Sequence, residues 1–254
     1  QIASGVVFRP LLPESALVME RIRATQMHQQ ALTQVEAMTQ MGLARSIYGA
    51  HPYGRPTISL SGLQHTKSKD VRLLHARICD PAKALLLVVG DVEADEVMDA
   101  IARRVSGYSS PEAPQDWSPP ESPSVSPGVV LVECPAAEQV SIGVGLSVMA
   151  RNHPDFLTLR VVNQILGGGG SSRLFSRLRE GQGLTYGVFS QLDCGRWGGD
   201  LTATMEVAPD KSRRAFQSLS NEMTRMGEGA IAPEELAHAV DYLVGSFPQR
   251  ASGL

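Results

Sequence analysis

Four consecutive glycines, Gly167, Gly168, Gly169 and Gly170, interrupt the stretch Val161 to Ser190, VVNQILGGGGSSRLFSRLREGQGLTYGVFS. Glycines in a row cost more chain entropy than one turn requires. The run therefore implies either unusual backbone dihedrals or something that approaches the backbone closely. An apolar helix leads into it. Ser171 and Ser172 then stand as caps for a second helix that starts near Arg173 and carries Arg177 and Arg179. After Gly181 and Gly183 comes an aromatic, β-rich run from Leu184 to Phe189. Arg179 on the last turn of that helix and Tyr186 at the start of the next strand could converge on one side of the loop between them.

That pair is the main functional candidate in the chain. Arginine carries a fixed fork of donors, and a tyrosine phenol both donates and accepts. Together they could hold a peptide carbonyl or a carboxylate, or stabilise an oxyanion beside a nucleophile supplied elsewhere. The plainer alternative is that Arg179 closes its helix through the dipole while Tyr186 packs at a sheet edge. Arg173 and Arg177 read by default as a solvated face.

With 254 residues and 43% apolar content, the chain can bury a core in one large domain or two ordinary ones. A formal charge of −3 and the absence of a basic stripe with interleaved aromatics give no support to a nucleic-acid groove. Cys79, Cys134 and Cys194 are far apart and form no CxxC, so they read as ordinary thiols. No apolar run is long enough for a membrane span. The chain opens at Gln1 with neither a methionine nor a signal-like segment, as a processed product or a fragment would.

Taken in order, Val6 to Leu12 reads as extended, and Pro13 to Ile47 as one long helix or two successive ones. The loop YGAHPYGRP, with His51, breaks it, and a helix over about 69–76 follows. Ala84 to Val89 is an apolar run of strand length, and residues 92–107 have helical spacing. Residues 108–128, rich in proline and serine, read as a linker or surface strap. Beyond it the pattern predicts strands at 129–134, at 140–146 and at Tyr186, and a further one at 201–207. Helices are predicted over 155–166, 173–180, 210–227 and 233–244. The order is not the strict alternation of a doubly wound fold. It favours an antiparallel α+β fold, with helices packed on one face of each sheet. A strand followed by a helix, after Val89 and again after Val207, faintly suggests two related halves.

Other chemistry is weakly supported. The six histidines contain no HxxxH or HExxH pattern. Glu234, Glu235 and His238 sit within one turn of a helix, where a local pair is the simpler reading than a metal site. His51 reads as a turn-stabilising loop residue. The glycine run lacks the GK[ST] ending of a phosphate loop, and no GxSxG provides a serine nucleophile.

The block ILGGGGSSRLFSRLREGQGLTYGVFS resembles the glycine loop and R…Y element in the carboxy-terminal half of the M16 zinc peptidases, which include processing peptidases. The block ARSIYGAHPYGRPTISLSGLQHTKSKDVRLLHARICDPAKALLLVVGDVEADEVMDAIARRV resembles the closing part of that family's first domain. The resemblance implies two processing-peptidase-like α+β domains facing each other across a cleft. Residues 1–110 would be the end of the first and 111–128 a linker. Residues 129–254 would be the second, incomplete at its end. It further implies that Arg179 and Tyr186 engage substrate beside the glycine loop, Gly167 to Gly170. In the family, zinc is held by HxxEH and a downstream glutamate. This sequence has no HxxEH, and Gln26 and Met27 lie where the glutamate is expected.

The chain then resembles a zinc-less subunit that needs a zinc-motif homologue, or a second copy of a related chain, to hydrolyse unfolded or extended peptides. No catalytic or metal residue is expected in the chain itself, and zinc is expected in the partner. The alternatives are a scaffolding homologue with no role in catalysis, or a fragment of an intact zinc protease. A bacterial periplasmic or cytoplasmic setting fits the resemblance.

Overall fold

A computed structural model describes residues 2–79, 84–105, 128–135, 137–229 and 231–251. The helices are α1 (Ile2–Phe8), α2 (Glu14–Ala31), α3 (Val35–Tyr48), α4 (Leu60–His65), α5 (Ser68–Ile78) and α6 (Ala94–Val105). Then follow β1 (Val140–Val148), α7 (Phe156–Gly167), a π-helical segment (Phe175–Gly181), β2 (Val188–Gly195), β3 (Gly198–Val207), α8 (Ser212–Gly227) and α9 (Pro233–Ala251).

Two compact units emerge. The described parts of Gln1–His28 and Ile58–Ser118 make one, and those of Gln29–Thr57 and Pro119–Leu254 make the other. The sequence places the division at the proline-rich stretch, which apart from Gly128 lies outside the described residues. The grouping adds a second feature, because residues 29–57 join the carboxy-terminal sheet.

The first unit is helical among its described residues. Val6 to Phe8, expected to be extended, belong to α1, whose last turn is closed by Arg9 N–H donating to the Gly5 carbonyl at 3.0 Å. Pro10 follows, and a residue without an N–H stops the helix there. The long helical stretch resolves into α2 and α3. Between them the Thr33 N–H and hydroxyl both donate to the Gln30 carbonyl, at 3.0 and 2.7 Å, the local competition with helix that threonine provides. Polar bonds tie α5 back to the start of the chain. Arg72 donates to the Leu12 carbonyl at 3.1 Å, His75 Nε2 lies 2.7 Å from the Val7 carbonyl, and Ser68 bonds Glu14.

The expected strands at 84–89 and 129–134 are not strands. The described residues of both runs are irregular, and Leu85, Leu87, Val89, Val129 and Leu131 are each more than four-fifths exposed. An apolar run becomes a strand only when a neighbour completes its backbone ladder, and none does so among the described residues.

In the second unit the three strands form an antiparallel sheet in the order β1-β3-β2. Along β3 every second residue is buried: Gly199, Leu201, Ala203, Met205 and Val207. Four of these face Leu146, Val144, Ile142 and Val140 across β1. This face builds the core with Ile165 and Leu166 of α7, Leu174, Leu178, Ala215 and Leu219 of α8, and Ala239 of α9. Alternation in the strands and the 3.6-residue period in the helices thus point at one interior.

The opposite face is not bare. Gly143 and Gly145 of β1 lie against α3: a Cβ on Gly143 would sit 2.6 Å from Leu43, and one on Gly145 would sit 2.9 Å from Ile47. The sheet therefore carries α3 on one side and α7 and α8 on the other. The expectation of helices on one face misses α3, because its partner strand lies about a hundred residues further along the sequence. Among the described residues, no helix is long and apolar enough to cross a membrane.

Candidate functional site

The glycine run closes α7 against β2. A Cβ on Gly167 would stand 2.4 Å from the Ser190 backbone nitrogen and 2.7 Å from its hydroxyl, and one on Gly168 would meet Gln164 at 2.6 Å. None of the four glycines has a positive φ. Of the two readings of the run, close approach is the one that holds, and what approaches is the protein's own β2 and α7. Ser190 sits there as a buried hydroxyl that donates to Asn163 Oδ1 at 2.8 Å. Gly170 has open space around its Cβ direction. Gly167→Ala is accordingly expected to lower stability by about 1–3 kcal/mol through overpacking, and Gly170→Ala to leave it within about 0.5 kcal/mol. Urea denaturation of the two variants checks the contrast.

The two serines after the run do not cap the helix as the sequence suggests. Ser171 is exposed, whereas Ser172 is 2% exposed and its hydroxyl has no hydrogen-bond partner among the described residues. Leu174, at the helix start, makes no side-chain cap bond.

Two of the three arginines are not on a solvated face. Arg173 is buried and donates twice to Glu235, from Nε at 2.7 Å and Nη2 at 2.6 Å, anchoring the start of α9. Arg177 donates to Glu222 of α8 at 2.6 Å, and Arg225 lies 3.7 Å from the same carboxylate. Glu235 is thus a structural ion-pair partner. Among the described residues, no three His, Cys, Asp or Glu side chains come together as metal ligands. The zinc implied by the family resemblance does not fit the residues described.

Arg179 differs from its neighbours. It lies in the last turn of the π-helical segment, is exposed, and its guanidinium lies 4.4 Å from the Phe175 ring centroid. Tyr186 does not begin a strand, because β2 starts two residues later. It projects from the preceding loop and is 92% exposed. Among the described residues neither side chain is held by a side-chain hydrogen bond to the protein, so the donors of both face outward.

The loop between them is firmly attached. Gly183, at φ +59°, turns the chain back so that its N–H donates to the Arg179 carbonyl at 3.1 Å, and the Leu184 N–H donates to the Leu178 carbonyl at 3.0 Å. Leu184 is buried in the core. Lys211 Nζ donates to the Gly183 carbonyl at 3.0 Å, and the Ser218 hydroxyl donates to Gln182 at 3.0 Å. Thr185 donates to the Glu206 carbonyl at 2.6 Å. Sequence reading missed these anchors. Only the threonine beside Tyr186 offered a local cue, since Lys211 and Ser218 arrive from a distant element.

His51 is 1% exposed, and its Nδ1 accepts from the Tyr53 N–H at 3.1 Å between the Tyr48 and Tyr53 rings. It stabilises its turn, as expected. Nearby, the Tyr48 hydroxyl donates to Asp200 Oδ2 at 2.7 Å, and Asp193 faces Asp200 across the β2–β3 ladder. Burial, and then the Asp193 charge, push the Asp200 carboxyl above the usual carboxylate range, while the Tyr48 bond pulls it back. Burial raises the Cys194 thiol and the Tyr48 phenol as well. A carboxyl raised in the folded state binds its proton more tightly there than in the unfolded chain. The contribution of Asp200 to stability is therefore full below the ordinary carboxylate pKa and is lost as pH rises through the raised value. Asp200→Asn, which keeps an acceptor for Tyr48, is expected to melt higher than the parent chain at pH 7, with the difference shrinking toward pH 4. Thermal melts across that range, about the carboxylate region, check it.

The sequence of residues 67–243 matches the family described as the peptidase M16 inactive domain. An uncharacterized zinc protease of Mycobacterium leprae is 30% identical over 219 residues, which make up 84% of this chain and 48% of that protein. One from Mycobacterium tuberculosis is 28% identical over 218 residues, or 84% of this chain and 49% of the relative. The chain spans about half the length of these curated relatives. In fold it is similar to a peptidase M16 inactive domain from Pseudomonas fluorescens, with a TM-score of 0.87 at 22% identity over 96% of this chain and 59% of that one. A protease from Helicobacter pylori gives 0.86 at 20% identity, over 97% and 60%.

Proposed function

Because the chain belongs to the peptidase M16 family, as an inactive domain, we propose that it engages an extended peptide while a zinc-bearing M16 partner, or a second related chain, supplies hydrolysis. The observation that carries this reading is the outward presentation of Arg179 and Tyr186 on an anchored loop. Two exposed side chains rich in hydrogen-bonding capacity stand on a base bonded to β3, to Lys211 and Ser218 at and within α8, and to the π-helical segment. Their chemistry suits a peptide backbone. The guanidinium and the phenol both donate to carbonyl oxygen, and the phenol also accepts from an N–H. Such contacts recognise main chain rather than particular side chains, which fits unfolded substrates of varied sequence.

The glycine run contributes shape in this account. Gly167 brings α7 against β2, Gly168 packs on Gln164, and Gly170 leaves backbone uncovered at the start of the arginine-bearing segment. Water attack and proton transfer fall to the partner. This chain's share is to bind, orient and hold the peptide.

Co-purification with a zinc-motif homologue, followed by a peptide-cleavage assay on each protein alone and on the mixture, tests the proposal. Cleavage in the mixture only is the expected result. Stoichiometric zinc binding and cleavage by this chain alone would overturn it. Association in which Arg179 and Tyr186 are dispensable would make the chain a scaffold.

A further inference from the structure

We propose that Thr185 is a positioning residue for Tyr186, an inference that rests on the peptide-engaging reading of the Arg179 and Tyr186 pair. With its ring almost wholly in solvent, Tyr186 owes its direction to the backbone on either side. Thr185 fixes both sides with one hydroxyl. Its Oγ1 donates to the Glu206 carbonyl near the end of β3 at 2.6 Å, accepts from the Gly187 N–H at 3.2 Å, and lies 2.9 Å from the Gly187 carbonyl. The residue before Tyr186 and the residue after it are thereby tied to each other and to the central strand.

The side chain suits this task. A β-branched residue has few χ1 states, so the hydroxyl is already aimed when the loop forms. The half-buried site strengthens its bonds relative to those of an exposed threonine. Lys211 and Ser218 hold the Arg179 end of the same loop. A donor presented on a fixed base loses less freedom on binding than one on a mobile loop, and the saving appears as affinity. Thr185 thus acts through Tyr186 and touches no substrate itself.

The test is fluorescence anisotropy with fluorescein-labelled, reduced and carboxymethylated lactalbumin, a permanently unfolded probe, titrated with the whole chain and its variants. Thr185→Val, close to isosteric but without the hydroxyl, is expected to weaken binding about fivefold to tenfold. Thr185→Ser is expected to restore it to within about twofold, and Thr185→Val is expected to add nothing once Arg179→Ala and Tyr186→Ala are present. That pattern of rescue and non-additivity would not arise from a general loss of stability. Should Thr185→Val fold poorly, Lys211→Met, which frees the other end of the loop, is expected to weaken binding in the same direction. Parental affinity in Thr185→Val and Lys211→Met, with binding lost in the Arg179→Ala, Tyr186→Ala variant, would overturn the positioning role and leave the peptide reading standing. Parental affinity in that double variant would overturn both.

Discussion

Glu235→Ala is expected to lower the unfolding free energy by about 3 kcal/mol or more, a large effect for a residue at the start of a helix. Its partner explains the size. The Arg173 side chain is 5% exposed, donates to both oxygens of Glu235 and also contacts the Met226 sulfur at 3.2 Å. Removing the carboxylate takes the two-point hydrogen-bonding partner from a buried guanidinium and leaves the charge of Glu222 beside it, which costs more than losing a surface ion pair. Glu235 also accepts from the Ala232 N–H at 3.0 Å, so the entry to α9 loosens too.

The Arg173 bonds hold the Glu235 carboxyl well below the usual range, at about 2. Because the folded value is depressed, this contribution is present above the ordinary carboxylate pKa and is lost as pH falls toward the folded value. Replacing both partners with apolar residues, Arg173→Met with Glu235→Leu, is expected to recover most of the loss. Urea denaturation of the single and double variants reads the outcome. An unchanged midpoint in Glu235→Ala would mean that the pair does not hold α9.

The second large effect concerns activity. In the reconstituted pair with a zinc-bearing partner, Arg179→Ala combined with Tyr186→Phe is expected to reduce kcat/KM about a hundredfold. That magnitude follows from losing one charged hydrogen bond of about 2 kcal/mol and one neutral bond of about 1 kcal/mol to the peptide. Stability is expected to stay within about 0.5 kcal/mol of the parent, because both side chains project into solvent. The contrast separates the arginines of one short segment: Arg173 answers in stability and Arg179 in turnover. Steady-state kinetics with the melts measured alongside would show it, and equal turnover in variant and parent would remove Arg179 and Tyr186 from the reaction.

The parts of the fold written in local periodicity were legible. Alternation marked β1 and β3, helical spacing marked α5, α6, α7 and α8, and the glycine run marked the tight join between α7 and β2. What depends on distant partners was not. Ala84 to Val89 has the composition of a strand, and composition does not say whether a neighbour completes the ladder. The same limit hid the placement of α3 over Gly143 and Gly145. In the candidate site, Arg179 and Tyr186 stood out by spacing, yet nothing local showed that Arg173 and Arg177 are held in ion pairs while Arg179, among the described residues, is not. That difference is made by Glu235 and Glu222, both on later helices. Tyr186 was expected in a strand because its neighbours are β-formers. The Thr185 hydroxyl, bonded to residues on both sides of it in space, instead holds a loop there.

Central to the proposed function is the passage of peptide over Tyr186. Its most direct test is to place a photoreactive benzoylphenylalanine at position 186 and irradiate the chain with labelled, unfolded lactalbumin, using the exposed Tyr242 position on α9 as a control. A covalent adduct from position 186 that Arg179→Ala diminishes, with little from position 242, is the expected result. Equal labelling at the two positions, or none at 186, would contradict it.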